Sequence, residues 1–193
     1  MKKSLEIKRM MALGILGGLV AALSMIKIPL GQFSITLALI PLVVGAILYG
    51  PRGGAFLGFI MGIVVLFVDA AAFYAISPIG TIITVLVKSS VAGCVCGLVF
   101  NVLNKKSQVT GIIVSTIIAP IVNTGIFLLG CVVFFYPTMV EWAAGEDVLT
   151  YLLVGMVGLN FVVEFAINVV LAPTVTYIIK VISKNYNIGS NLE

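Results

Sequence analysis

The sequence predicts an all-α integral membrane protein in which six transmembrane helices form a single compact bundle with both termini in the cytoplasm. Three observations support this prediction. The 193 residues are 61% hydrophobic and 9% charged, whereas a soluble domain carries about 25% charged residues. The apolar residues form long continuous runs, which are typical of spanning helices and not of the short alternating strands of a membrane barrel. The basic residues are grouped at the ends of these runs.

The apolar runs are predicted to form one domain that covers residues 1–193. They lie at residues 10–26, 37–49, 54–69, 79–103, 109–135 and 149–182. Glycine and proline separate the second run from the third, where Gly50-Pro51-Arg52-Gly53 predicts a tight turn. Between the first and second runs, the stretch IKIPLGQFSIT predicts an outer loop.

The distribution of basic residues predicts the topology, because cytoplasmic loops carry an excess of lysine and arginine. Lys27 is predicted outside, and Lys88 lies within the fourth apolar run. All other basic residues fall on the predicted cytoplasmic side: Lys2, Lys3, Lys8, Arg9, Arg52, Lys105, Lys106, Lys180 and Lys184. Both termini are then cytoplasmic, which requires an even number of spans.

The composition argues against catalysis by this chain. It has no histidine, so the commonest general base and the commonest metal ligand are missing. The motifs H-E-x-x-H, G-x-S-x-G and the P-loop are also absent. We therefore expect no catalytic residue, no metal site and no cofactor in this chain. The net charge of +4 is explained by the helix ends and lipid headgroups, so we expect no nucleic-acid partner.

Lys88 is the one charge inside the fourth apolar run. A charge near the centre of a bilayer costs about 2.5–3.5 kcal/mol on insertion scales, so it normally faces protein or a wet cavity. Ser89, Gly93 and Gly97 form a stripe of small residues about 100° around the helix from it. We expect this stripe to pack against a neighbouring helix while Lys88 faces a cavity.

Further polar residues lie in the fifth and sixth runs. Asn160, Glu164 and Asn168 recur every four residues and share one face of a helix. Two interpretations remain open: a structural Lys88–Glu164 ion pair, or a substrate cavity in the outer half of the fourth to sixth helices. The two are compatible, because an ion pair can open when a ligand arrives. The candidate substrate-binding residues are Lys88, Thr84, Asn123, Asn160, Glu164, Gln32 and Phe33.

Small residues recur on two more helices, where they allow close approach of another helix. The first helix carries the stripe Gly14, Gly18 and Ala22 and the offset pair Gly17 and Ala21. These residues serve either packing within the bundle or docking to another membrane subunit. The third helix carries a further stripe at Gly54, Gly58 and Gly62.

Over nearly its whole length the chain resembles the S components, which are the substrate-capturing membrane subunits of energy-coupling factor (ECF) transporters in bacteria. The resemblance is carried by the six-helix layout and by several stretches. These are GILGGLVAAL in the first helix, IPLVVGAILYGPRGGAFLGFIMGI at residues 40–63, ISPIGTIITVLVKSSVAGCVCGLVF in the fourth helix and IVNTGIF in the fifth.

This resemblance implies a multi-pass protein of the bacterial cell membrane that binds a vitamin or related micronutrient from the outside. It implies a transmembrane coupling subunit and two ATPase subunits as partners, and these ATPase subunits hydrolyse the ATP. The small-residue face of the first helix matches the docking surface of such proteins. Members that carry nickel or cobalt rely on histidine, so a metal substrate is not expected here.

The residues are compatible with more than one class of substrate. Lys88 favours an anionic substrate such as pantothenate, niacin or a flavin phosphate, whereas Glu164 alone favours a cationic one. If the two neutralise each other, a neutral vitamin such as riboflavin fits. Two other functions are also compatible with the residues. One is a stand-alone proton-coupled carrier with Glu164 as its proton site, and the other is a structural membrane subunit.

Overall fold

The computed structural model describes residues 2–26, 28–30 and 33–186, and helices predominate in this part of the chain. The helices are α1 Lys2–Met25, α2 Leu39–Val68, α3 Ala71–Ile76, α4 Pro78–Leu103, α5 Gln108–Phe134, α6 Tyr136–Trp142, α7 Val148–Thr150 and α8 Gly158–Tyr186. A π-helical segment, Tyr151–Met156, lies between α7 and α8. Two short strands, β1 Ile28–Leu30 and β2 Phe33–Ile35, separate α1 from α2.

Within the described residues, four helices are long and apolar enough to cross a membrane. They are Leu39–Val68, Pro78–Leu103, Gln108–Phe134 and Gly158–Val181. Arg9–Met25 is a shorter apolar helix. The helical membrane class is therefore confirmed, whereas the count of six spans and the cytoplasmic placement of both termini stay predictions.

Helix α2 bends sharply at Gly50, whose φ of 74° and ψ of −173° lie in a region that is essentially restricted to glycine. In a straight helix, residues 46 and 54 would lie about 12 Å apart along the axis. A Cβ atom built on Gly54 instead lies 2.7 Å from Ala46 Cβ. The arms 39–49 and 51–68 therefore fold back on each other, and the bend coincides with the turn predicted at Gly50-Pro51-Arg52-Gly53.

The second arm of α2 and helix α4 are in backbone contact. A Cβ atom on Gly54 would collide with the backbone of Gly93, and one on Gly58 would collide with the backbone of Ser89. The two small-residue stripes predicted on these helices thus pack against each other. Because Lys88 precedes Ser89, its side chain is turned about 100° away from this contact.

Residues 28–30 and 33–35 form an antiparallel ribbon in which Ile28 pairs with Ile35, so the prediction of a loop throughout residues 26–36 is wrong. The physical reason is that two short apolar runs are separated by two residues, which is the commonest length of a hairpin connection. The ribbon leads into Thr36, whose hydroxyl accepts a hydrogen bond of 3.1 Å from the backbone N–H of Ala38. The ribbon therefore ends directly at the start of α2.

The predicted sixth helix, residues 149–182, is interrupted near its beginning. The chain forms the short helix α7 and the π-helical segment before α8 begins at Gly158. A Cβ atom on Gly158 would lie 2.6 Å from the carbonyl oxygen of Leu153, so a glycine suits this change of helical pitch. Segments of π-helix are rare and often lie at functional sites; here the next residue, Val157, lines a cavity.

Two clusters of buried apolar side chains bound this cavity. The first joins α1, α2, α4, α5 and α8 and includes Met61. The second surrounds Phe73 and includes Phe127 and Val157. Met61, Phe127 and Val157 all line the cavity, which therefore lies between the two clusters.

Candidate functional site

The cavity has a volume of about 90 Å³ and is lined by residues from α1, α2, α4, α5 and α8. Its polar or charged lining residues are Ser24, Thr36, Asp69, Lys88, Asn123, Thr124, Asn160 and Glu164. Sites for small molecules usually enclose about 300–1,000 Å³. The cavity is therefore smaller than a typical site for a ligand of vitamin size.

Four of the predicted substrate-binding residues meet in this one cavity, namely Lys88, Asn123, Asn160 and Glu164. They come from three helices that are far apart in the sequence. Asn123, Asn160 and Glu164 are buried, with 6%, 8% and 8% of their surface exposed, and Lys88 is partly buried. The structure thus brings these four polar residues together in one cavity.

The ammonium of Lys88 is held over an aromatic ring. Its Nζ atom lies 4.8 Å from the centroid of Phe127, which is within the range of a cation–π interaction. Asp69 and Glu164 are near enough to act electrostatically on Lys88. Among the described residues, however, no salt bridge joins Lys88 to Glu164, and the structural ion pair considered from the sequence stays a prediction.

The carboxylate of Glu164 is occupied by a backbone group. Its Oε1 atom accepts a hydrogen bond of 3.1 Å from the N–H of Thr36. One turn further along α8, the Asn168 side-chain amide donates to the backbone carbonyl of Glu164 at 2.8 Å. Asn168 thus bonds within its own helix and does not belong to the cavity lining, although the periodicity placed it on the same face.

The amide oxygens of Asn123 and Asn160 are buried and have no hydrogen-bond partner within the described part of the chain. Leaving such a group unsatisfied costs about 1–3 kcal/mol. Unsatisfied buried polar groups in a native structure call for an explanation, and two of them in the lining of one cavity are consistent with a binding site. Both asparagines were predicted as site residues.

Thr84 lies in a second, smaller cavity of about 30 Å³ and not in the main one. Asp69, Lys88 and Phe127 line both cavities. The Thr84 hydroxyl is buried and has no hydrogen-bond partner in the described residues. Thr84 therefore shares only the smaller cavity with Lys88.

Two further residues, Gln32 and Phe33, are predicted to bind the substrate. Gln32 lies outside the described residues, and Phe33 is described only as part of strand β2. Their assignment to the substrate site stays a prediction.

Several residues of the cavity lining were not among the predicted site residues, and they include Thr36, Asp69, Phe127 and Phe161. The sequence contained a recognisable feature for two of these residues. Asp69 is the one carboxylate between residues 7 and 140, and Phe127 follows Asn123 by four residues and so shares its face of α5. Thr36 contributes a backbone N–H, which every residue type except proline carries. The residue type at this position therefore could not reveal the contact.

The small residues of α1 differ in exposure to solvent or lipid. Gly14, Gly18 and Ala22 are exposed, and Cβ atoms on the two glycines would meet nothing within 4 Å. Gly17 is buried, and its Cβ atom would lie 2.8 Å from Ile60 Cδ1 of α2. Gly17 is therefore used for packing inside the chain, and the assignment of Gly17 and Ala21 to a docking face stays a prediction.

The sequence was compared with models of known protein families, with curated proteins and with solved structures. A family model described as "ECF transporter, substrate-specific component" matches residues 8–179, which is most of the chain. No curated protein and no solved structure matches the chain.

Proposed function

The chain belongs to the family of ECF transporter substrate-specific components, and from this premise we propose that it captures a vitamin or related micronutrient and passes it to an ECF module. It is a multi-pass membrane protein and a substrate-binding subunit of a transporter. Pantothenate, riboflavin and niacin-like molecules are the proposed candidate substrates.

The main support for the binding role is the convergence of Lys88, Asn123, Asn160 and Glu164 on one cavity. Their groups include a cation, a carboxylate and two amides, which suit a small polar metabolite. Phe127 and Phe161 line the same cavity and offer apolar faces to a flat ring or a carbon chain. We assign these residues, with Thr84, Gln32 and Phe33 as further candidates, to substrate binding.

For the partner interaction, we propose that the stripe Gly14, Gly18 and Ala22 docks a transmembrane coupling subunit. These residues are exposed, and small residues allow the backbone of a second helix to come close. Two ATPase subunits attached to the coupling subunit would hydrolyse ATP, so the chain itself needs no cofactor.

A vitamin screen on the purified chain tests this proposal. We expect one water-soluble vitamin to raise the melting temperature in detergent and to appear as a bound mass in native mass spectrometry. We also expect co-expressed ECF subunits to co-purify with the chain. If no vitamin binds and no such partner co-purifies, the proposal is wrong. Uptake by the chain alone that collapses with a proton uncoupler would favour a proton-coupled carrier instead.

A further inference from the structure

We infer that the cavity recognises a small organic anion, whose carboxylate or phosphate replaces the Phe127 ring as the partner of the Lys88 ammonium. This inference rests on the proposed function and narrows its substrate class. It begins from the contact described above, in which Lys88 Nζ lies 4.8 Å from the Phe127 ring centroid.

The first argument is that the Lys88 ammonium forms no salt bridge within the described residues. Both Asp69 and Glu164 line the same cavity, yet in the described residues neither forms a salt bridge with Lys88. The Glu164 carboxylate is already bonded to the Thr36 N–H. A lysine that faces a cavity and rests on an aromatic ring can therefore turn to an incoming anion without first breaking an ion pair.

The second argument is the position of Phe127. Its ring lies between the main cavity and the smaller one, and it lines both. Phe73 fixes it from behind through an edge-to-face contact with centroids 5.6 Å apart, and Phe73 in turn contacts Phe135 and Trp142. Phe127 is thus packed against Phe73 on one side and acts as a positioning residue for Lys88.

The third argument is the relative strength of the two contacts. A charge-assisted hydrogen bond to a carboxylate or phosphate is stronger than a cation–π contact with phenylalanine at a partly exposed site. The exchange therefore favours ligands with an anionic group over a neutral analogue, whose uncharged acceptor forms a weaker hydrogen bond with the ammonium. Asn123, Asn160 and Glu164 remain to bind hydroxyl or N–H groups at the other end of the ligand, so the inferred substrate is an acid with hydrogen-bond donors.

Matched ligand pairs test this inference, because the members of each pair differ in charge and little in shape. Suitable pairs are nicotinate with nicotinamide, pantothenate with panthenol, and riboflavin 5′-phosphate with riboflavin. Affinities are measured by calorimetry on the purified wild-type chain. In one pair we expect the acid to bind about tenfold or more tightly than its neutral partner, which is the range of a hydrogen bond to a charged group.

Two variants assign the preference to named residues. Lys88→Met should lower the affinity of the acid to that of the neutral partner, whereas Lys105→Met, which removes an exposed lysine far from the cavity lining, should change neither. Phe127→Leu should raise the acid-to-neutral affinity ratio by about twofold or more, because Lys88 loses its competing contact. Both ligands of a pair would lose the same stacking on the Phe127 ring, so this loss cancels in the ratio of their affinities.

The outcomes separate this inference from the proposed function. If a neutral vitamin binds as tightly as its acid, or if Lys88→Met keeps the preference for the acid, the inference is wrong while the proposed function stands. If no vitamin of either charge binds, both fail. Should Phe127→Leu not fold, the wild-type ligand pairs and Lys88→Met still decide the question.

Discussion

The backbone N–H of Thr36 donates a hydrogen bond of 3.1 Å to Oε1 of Glu164, although 128 positions separate the two residues. Thr36 directly follows strand β2 and, through its hydroxyl, bonds to Ala38 at the start of α2. Glu164 is buried in the wall of the cavity. One carboxylate therefore both lines the site and ties the base of the ribbon to α8.

This bond predicts different effects for two substitutions of Glu164. Glu164→Gln keeps a side-chain oxygen that accepts the Thr36 N–H, so we expect most of the stability to remain. Glu164→Ala leaves that N–H without its acceptor, which costs about 1–3 kcal/mol. Melting temperatures of the two purified variants in the same detergent measure the difference. Equal losses for both would contradict the role given to this hydrogen bond.

The backbone at Gly50 gives a second prediction. Its φ of 74° and ψ of −173° lie where a Cβ atom is strained, so we expect Gly50→Ala to destabilise the fold by about 1–3 kcal/mol. Gly125→Ala is the matched control, because Gly125 lies within α5 and its Cβ atom would meet nothing within 4 Å. In a helix, that change should stabilise by about 0.5–1 kcal/mol. The melting temperature should fall for Gly50→Ala and rise for Gly125→Ala.

Lys88→Met tests whether Lys88 stabilises the fold. Breaking a buried ion pair typically costs about 3–5 kcal/mol. Because no salt bridge joins Lys88 to Glu164 among the described residues, and because a charge in a membrane is itself costly, we expect the melting temperature of the ligand-free variant to stay level or rise. A fall equivalent to several kcal/mol would show that an ion pair forms in the membrane after all.

Gly18→Leu tests the outer face of α1. The position is open, since a Cβ atom there would meet nothing within 4 Å, so we expect unchanged thermal stability and ligand affinity. Co-purification with a coupling subunit should fall about tenfold or more, because a bulky side chain keeps two helices apart. Gly125→Leu, on the open face of α5, is the control and should leave co-purification unchanged. Equal capture of both variants would place the docking surface elsewhere.

The elements that the sequence predicted well are those with strong local patterns. The helical membrane class follows from long apolar runs, and the contact between α2 and α4 follows from glycines repeated every four residues. Lys88, Asn123, Asn160 and Glu164 were recognised because polar residues are rare within apolar helices, and the structure places them in one cavity.

The features that the sequence did not predict depend on contacts between distant segments or on backbone groups. The bond from Thr36 to Glu164 uses a backbone N–H, which leaves no trace in the residue type. Asn168 shares a helical face with Glu164 but bonds to its own helix, a choice that periodicity cannot reveal. The contact of Lys88 with Phe127 requires the packing of α4 against α5, whereas the pattern of charges left open an ion pair or a substrate cavity.

The glycine contact between α2 and α4 also indicates how the specificity of this protein can be altered. Gly54, Gly58 and Gly93 admit no side chain, because a Cβ atom at each would collide with the facing backbone. The close contact of these two helices therefore depends on these glycines, and α4 also carries Lys88. Asn123 on α5 and Asn160 on α8 lie outside this glycine contact, so a library for new substrates should vary these two positions and keep the glycines of α2 and α4.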